Sequence, residues 1–237
     1  MKATIEQIKK SQNPPEKDAY YAVIFGRKIS PYFTWVLLRM SVGPNLTTFI
    51  SLLFILAGAY FFTFPGPQYW LLGWILLQGY HILDSSDGEI ARINKTTSKF
   101  GGAFDSVLHP LGNSIIFAAA SIGIYELTNN IFSLYIGFIA VILLLMLSVV
   151  RLHGDIMFSS LGKKKPDSSE HYKNRQTLKG KVFELFTDVG GPFHMLALAA
   201  AFDFITGLDF RIYFYALFTA GVFVLLARKF VSIKRNS

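Results

Sequence analysis

Apolar residues run through this chain in long blocks, separated by short polar stretches or by stretches bearing Gly and Pro. Each block is close to the roughly 20 residues that a helix needs to cross a bilayer. The blocks fall at about 46–64, 69–92, 102–125, 131–154, 184–206 and 209–231. They predict an all-α integral membrane protein, a bundle of six transmembrane helices. The breaks at Pro65 to Gln68, at Glu126 to Asn130 and around Gly207 are short, whereas 93–101 and 155–183 are charged, and 158–183 forms one long polar stretch. Ahead of the first block, residues 16–43 interleave Tyr20, Tyr21, Phe25, Tyr32, Phe33 and Trp35 with Arg27, Lys28 and Arg39. That mixture predicts an amphipathic helix lying in the membrane interface. Ser30 and Pro31 predict a helix start there, and Pro44 and Asn45 predict the start of the first span, with Asn45 as its cap.

Composition narrows the class. The chain has 237 residues, 52% of them hydrophobic, and a mean hydropathy of +0.40, too apolar for an ordinary soluble domain. Six spans use most of the length, which predicts one membrane-embedded domain over 1–237 with 46–231 as its core. The lack of cysteine excludes disulfides and thiolate chemistry. No internal repeat is visible, which weighs against transporter folds built from duplicated halves. Residues 1–19 lack the apolar centre of a cleavable signal, so the N-terminus is expected to stay in the cytoplasm.

Charge sets the expected orientation. With six spans, every one of the 23 Lys and Arg residues except Arg211 lies on the side that holds both termini and the 93–101 and 155–183 segments. The positive-inside rule makes that side cytoplasmic. A net charge of +8 then implies attraction to anionic membrane lipids and phosphorylated substrates. Nucleic acid is not an expected partner, because the basic residues sit at helix ends.

One stretch contradicts its apolar setting. Asp84 and Asp87 lie near the end of the second block, and Asp105 and His109 near the start of the third. A charged group inside a membrane helix costs about 2.5–3.5 kcal/mol on insertion scales, so several together imply a compensating partner. Asp84 and Asp87 share a helix face, with Gly88 and Ala91 continuing it almost without side chain and Arg92 closing it. Gly101, Asp105 and His109 repeat the arrangement at four-residue spacing. Joined by the polar turn 94–99, the two helices are expected to form an antiparallel pair whose acidic faces meet just inside the cytoplasmic end. Converging carboxylates select hard cations, Mg²⁺ first, then Mn²⁺, with Ca²⁺ also open. An ion-paired cluster, such as Arg92 with Asp87, is the purely structural alternative.

The run from Asp84 to Arg92, then Gly101, Asp105 and His109, resembles the signature of the CDP-alcohol phosphotransferase (phosphatidyltransferase) family. That signature is Asp-x-x-Asp-Gly-x-x-Ala-Arg, eight residues, Gly, three residues, Asp, three residues, Asp; seven of its eight fixed positions match here with the spacing intact. The resemblance implies a metal-dependent membrane transferase in phospholipid or polar-headgroup synthesis. Its donor would be a CDP-alcohol such as CDP-diacylglycerol, whose β-phosphate is attacked by an alcohol, phosphorylated or not, with release of CMP. It implies that Asp84, Asp87, Asp105 and His109 take the metal positions, for one or two Mg²⁺ or Mn²⁺ ions. Gly88, Ala91 and Gly101 would line the nucleotide pocket, with Arg92 as electrostatic support. Asn45 and Thr48 match the Pro-Asn and nearby Thr that members carry at the first span. A homodimer stays open as a further partnership.

His109 departs from the signature, which has a fourth Asp there, assigned to a second metal and to deprotonating the attacking hydroxyl. Three readings follow. His109 is a working base, with an intrinsic pKa of about 6.5 suited to proton transfer near neutrality. Or it is a ligand, which favours Mn²⁺ or Zn²⁺. Or the chain binds CDP-alcohols as a catalytically impaired sensor or scaffold. Elsewhere, Arg151, His153 and Asp155 are candidates for gripping an acceptor or for a simple stop signal. Asp188 and His194, flanking an expected kink at Gly190, Gly191 and Pro192, are candidates for the acceptor pocket, and His81 for an ordinary packed histidine. Lys163, Lys164 and Lys165 read as a solvated patch facing lipid headgroups.

Overall fold

The structure is a computed structural model that describes residues 3–14, 22–160 and 191–236. Among these residues it is all-helical: α1 (Ile5–Lys10), α2 (Arg27–Arg39) entered through a π-type turn at Ala22–Gly26, α3 (Pro44–Phe62), α4 (Pro67–Ile93), α5 (Lys99–Thr128), α6 (Phe132–Ser160), α7 (Gly191–Thr206) and α8 (Phe210–Asn236). The bounds of α3 to α6 and of α8 follow the apolar blocks, because Gly, Pro and Asn sit where each block stops. Only the part of the 184–206 block from Gly191 onward is described.

Four stretches are long and apolar enough to cross a membrane: Pro44–Phe62, Gly101–Thr128, Phe132–Val150 and Phe210–Ala227. The helix α4 has 27 residues but stands outside that set, since Gln68, Gln78, His81 and several Trp, Tyr and Gly residues dilute its apolar stretch even before the acidic motif. The described part of α7 has 16 residues. On α3, Leu46, Phe49, Leu53, Leu56 and Tyr60 form an exposed stripe, while Thr47, Ser51, Ile55, Gly58, Ala59 and Phe62 are buried. Large apolar groups facing outward and small or polar ones facing inward is the reverse of a water-soluble helix, and it suits a lipid surround.

The helix α4 packs against α2, α3 and α7; α5 packs against α3 and α6; α8 closes the bundle on α6 and α7. At the α3–α4 crossing the backbones nearly touch: a methyl added at Gly73 would stand 2.8 Å from the Gly58 carbonyl oxygen and 2.9 Å from the Phe62 ring. The core between α5, α7 and α8 is aromatic, with Phe117 stacked on Phe218 at 4.5 Å and packed beside Phe193 and Tyr215. The Tyr215 hydroxyl is satisfied by the Phe117 carbonyl at 2.8 Å.

At the opposite end from the acidic motif, Asp203 and Arg211 form a buried ion pair. Asp203 also accepts the Phe210 backbone N–H at 2.7 Å, capping α8. Arg211 donates to the Pro65 carbonyl at 2.8 Å and lies over Trp70. The one basic residue expected on the far side is therefore an internal tie between α7, α8 and the α3–α4 turn.

Two local expectations are corrected. Pro31 does not start a helix; it lies inside α2, which begins at Arg27. The lost N–H is tolerated because Gln12 donates to the Arg27 carbonyl that residue 31 would have served. Asn45 is not the cap of α3: Gly43 occupies that position and Pro44 the first helical one, where a missing N–H matters least. The helices α4 and α5 do run antiparallel with their acidic faces together, His109 beside Asp84 near one end and Gly123 beside the Trp70 indole near the other. The helix α3 lies against both of them and leaves a wedge between them that side chains cross.

Replacing Gly73 by Ala should therefore overpack the α3–α4 crossing and cost about 1–3 kcal/mol, read as a lowered thermal midpoint in detergent. Gly221→Ala, where an added methyl meets nothing within 4 Å, should leave the midpoint unchanged or raised.

Candidate active site

The wedge between α4 and α5 is closed at one end by their short connection. The last residue of α4 is Ile93, Lys95 takes a left-handed conformation (φ 56°), and Ser98 caps α5 by accepting the Gly101 N–H at 2.9 Å. This turn brings the first two turns of α5 beside the last three of α4. His109 Nε2 lies 3.3 Å from Asp105 Oδ1 and 3.7 Å from Asp84 Oδ2. One ligand atom from each of Asp84, Asp105 and His109 lies within 4.8 Å of the other two. Two carboxylates and an imidazole converging in this way fit a divalent ion of the Mg²⁺ or Mn²⁺ type.

Asp87 is one turn further along and is not part of that trio. Its carboxylate accepts the Thr48 hydroxyl at 2.5 Å, which joins α4 to α3 and leaves the second carboxylate oxygen free of that bond. Thr48 thus meets the motif through Asp87. Asn45 stands exposed in the first turn of α3.

The small positions leave room beside the carboxylates. A methyl at Gly88 would meet the Arg92 guanidinium, 3.1 Å from Nη1, so Arg92 folds back along α4 over Gly88. Arg92 Nε is buried and has no hydrogen-bond partner among the described residues. A permanent cation with a spare donor fits an anionic ligand laid along this face. Ala91 is half-buried, and an added methyl at Gly101 would touch only Ser98 Oγ at 3.2 Å.

Two residues that matter here were not singled out from the sequence. Tyr80, 6% exposed, places its hydroxyl 2.6 Å from His109 Nδ1. It stands one turn before Asp84 on the same face, so the face itself was the signal. That hydrogen bond fixes the imidazole edge-on to the phenol ring with Nε2 toward the carboxylates. Glu89, 2% exposed, is the other; it is bonded on the far face of α4 from Asp84 and Asp87.

Of the remaining candidates, His194 accepts the Trp74 indole N–H on Nδ1 at 2.8 Å, a link between α4 and α7 outside the acidic trio. The ring of His81 packs on that of Tyr80. The side chains of Arg151, His153 and Asp155, and residues Asp188, Gly190 and Lys163 to Lys165, lie outside what is described; Gly191 and Pro192 stand at the described start of α7.

The sequence pattern of the family described as CDP-alcohol phosphatidyltransferase matches residues 41–202, well over half of the chain and the whole acidic constellation. The chain belongs to the CDP-alcohol phosphatidyltransferase family. Over 98 residues it is 31% identical to the phosphatidylinositol phosphate synthase of Streptomyces avermitilis, an alignment that covers 41% of this chain and 39% of that protein. The chain thus spans about two fifths of the length of that curated relative. Its fold matches the crystal structure of Mycobacterium tuberculosis phosphatidylinositol phosphate synthase with CDP-DAG bound, at a TM-score of 0.63. That match covers 87% of this chain and 94% of the other at 12% identity, and it identifies a shared helical fold.

Within a family whose signature ends in Asp, the Tyr80 contact makes His109 a placed residue rather than a loose one. Tyr80→Phe should remove the hydrogen bond to Nδ1. In ¹⁵N-histidine spectra the ring nitrogens of one histidine, absent in His109→Asn, should then shift, while the histidine that disappears in His194→Asn should not. An unchanged His109 signal would show that Tyr80 does not hold the ring.

Proposed function

We propose that this chain is a metal-dependent transferase that moves a substituted phosphate from a CDP-linked donor, such as CDP-diacylglycerol, to an alcohol acceptor and releases CMP. The reaction belongs to phospholipid or headgroup synthesis. The observation that carries this reading is the convergence of Asp84, Asp105 and His109 beside the Gly88 surface and the unpartnered Nε of Arg92.

In this reading Asp84 and Asp105, with Asp87, would hold the divalent ion. When bound, such an ion neutralises the diphosphate and the charge that develops as CMP departs. Gly88, Ala91 and Gly101 leave the backbone open to the nucleotide, and Asn45 and Thr48 border it from α3. The guanidinium of Arg92 lies against the phosphates. The acceptor's hydroxyl oxygen bonds to the β-phosphorus as the bond from that phosphorus to the CMP oxygen breaks, and the hydroxyl proton passes to His109. Nε2 has one lone pair, so it serves as base or as metal ligand but not both at once. Its place at the rim of the carboxylates favours the base, which requires the proton on Nδ1, donated toward Tyr80 Oη.

The six helices α3 to α8, in one membrane-embedded domain, would each cross the bilayer. The burial of Arg211 in an ion pair removes the one basic residue that ran against a positive-inside orientation. Both termini and the wedge then face the cytoplasm, where a soluble nucleotide headgroup meets a membrane-held tail.

Purified protein supplied with CDP-diacylglycerol, Mn²⁺ or Mg²⁺ and a panel of acceptors (glycerol phosphate, inositol phosphate, serine, choline) should release CMP with at least one of them. Asp84→Asn and Asp105→Asn should each lower that rate by at least about a hundredfold, since several kcal/mol of charge stabilisation correspond to about tenfold per 1.4 kcal/mol. Normal release in excess chelator would refute the metal assignment. Tight CDP-diacylglycerol binding without CMP release from any acceptor would instead support the impaired, sensor-like reading.

A further inference from the structure

The carboxylate of Glu89 sits at a position that the family signature leaves open, yet it is buried and accepts three side-chain hydrogen bonds. Its Oε1 accepts the Ser30 hydroxyl and the Gln12 side-chain amide, each at 2.6 Å, and its Oε2 accepts the Thr34 hydroxyl at 2.6 Å. Ser30 and Thr34 are fully buried on α2. With about 100° of rotation per helical residue, Glu89 points to the side of α4 opposite the Asp84 and Asp87 face. The motif helix therefore presents acids for the reaction on one face and an acid for architecture on the other.

The donors to Glu89 are arranged by a second defect. Pro31 has no N–H, so the Arg27 carbonyl loses its partner within α2. The Gln12 amide fills that gap at 3.1 Å while also reaching Glu89, and Gln12 Oε1 accepts Arg27 Nε at 3.4 Å. Arg27 donates as well to the Asn13 carbonyl. One glutamine thus ties the segment after α1 to both α2 and α4. The backbones are close here: a methyl at Gly26 would lie 3.2 Å from Ser85 Oγ, and Ser86 Oγ reaches the Ser30 carbonyl at 3.5 Å. Ser85, Ser86 and Glu89 are three of the four open positions between Asp84 and Arg92 in the signature, and all three lie against α2 or the turn that leads into it.

We propose that Glu89 is a positioning residue, the centre of a clamp that fastens the N-terminal unit (α1, Gln12 and α2) to the back of the motif helix and so sets the site's geometry. The route is short. The helix α2 leads through residues 40–43 into α3, whose Thr48 holds Asp87. The clamp and the Thr48 bond grip the same two turns of α4 from opposite sides. Releasing Glu89 frees α2, and with it the start of α3 that borders the donor pocket. The catalytic consequence rests on the transferase reading; the clamp itself does not.

The chain's lack of cysteine allows a direct test in the full-length protein. In α1, Ile8 is fully buried, so a single Ile8→Cys should react slowly with a maleimide. Adding Glu89→Ala should speed labelling about tenfold or more, with Glu89→Gln in between, because an amide oxygen still accepts one hydroxyl. The Ser30→Ala, Thr34→Ala double variant should reproduce the effect from the other side of the clamp, which covers the case in which Glu89→Ala does not fold. In the cysteine-free chain, Glu89→Ala should raise the KM for CDP-diacylglycerol about tenfold and leave kcat within about threefold, the pattern of a displaced binding surface rather than a lost chemical group. Labelling unchanged in all these variants overturns the clamp, and faster labelling with an unchanged KM overturns the positioning role. Faster labelling in a chain that releases no CMP supports the clamp and sinks the transferase reading alone.

Discussion

A carboxylate cannot face lipid, and α4 carries three of them, Asp84, Asp87 and Glu89, within about two turns. Asp84 and Asp87 share one face and Glu89 takes the opposite one, and each of the three finds a different cover. Asp84 meets His109 across the wedge, Asp87 takes the hydroxyl of Thr48 from α3, and Glu89 takes three hydrogens from α2 and Gln12. At about 2.5–3.5 kcal/mol for each exposed acid, leaving any one face open would offset much of a typical fold's stability. The position of α4 with neighbours on several sides follows from that requirement, and so does the packing of the N-terminal unit against it.

Close backbone contact supplies the complementary constraint. Gly58 and Gly73 let α3 and α4 nearly touch, and α3 also packs on α5, so α3 is the helix that sets where the other two stand. The backbones of α4 and α5 stay apart, and at the acidic end side chains from Tyr80, Asp84, Asp105 and His109 bridge the gap. Two helices packed side by side would have buried the same acids against each other as a structural ion-pair cluster. A wedge keeps Asp105 largely open, with 58% of its side chain exposed, where a ligand arriving from outside can reach it.

Much of this was legible in the chain. The apolar blocks located α3 to α6 and α8 to within a few residues, since lipid-facing length and Gly or Pro punctuation are local properties. The trio of Asp84, Asp105 and His109 followed from helix spacing plus one turn. What escaped depends on contacts between distant segments. The separation of the α4 and α5 backbones depends on α3, which packs against both, and nothing local to either helix says so. Pro31 looked like a helix start because its missing N–H is usually left to the first turn, and here Gln12, fifteen residues before Arg27, supplies the substitute donor. The helix α1 did carry a signal, Thr4 with Gln7 three residues on, which forms a reciprocal cap in the structure. Glu89 was hidden by its surroundings: among signature acids it reads as one more surface charge, and only its partners reveal that it is buried.

The exchange of Asp for His at position 109 makes physical sense within this frame. A fourth carboxylate near Asp84, Asp87 and Asp105 would add negative charge to a site already short of compensation on the protein side, since Arg92 is the one nearby cation among the motif residues. A neutral imidazole removes that repulsion but needs an anchor, because unlike a carboxylate it works only when the correct nitrogen faces inward. Tyr80, buried one turn before Asp84, provides that anchor through its 2.6 Å contact with Nδ1. A histidine that had merely drifted into a lapsed site would need no such partner. The phenol supplies the fixed ring orientation that the base role proposed for His109 requires.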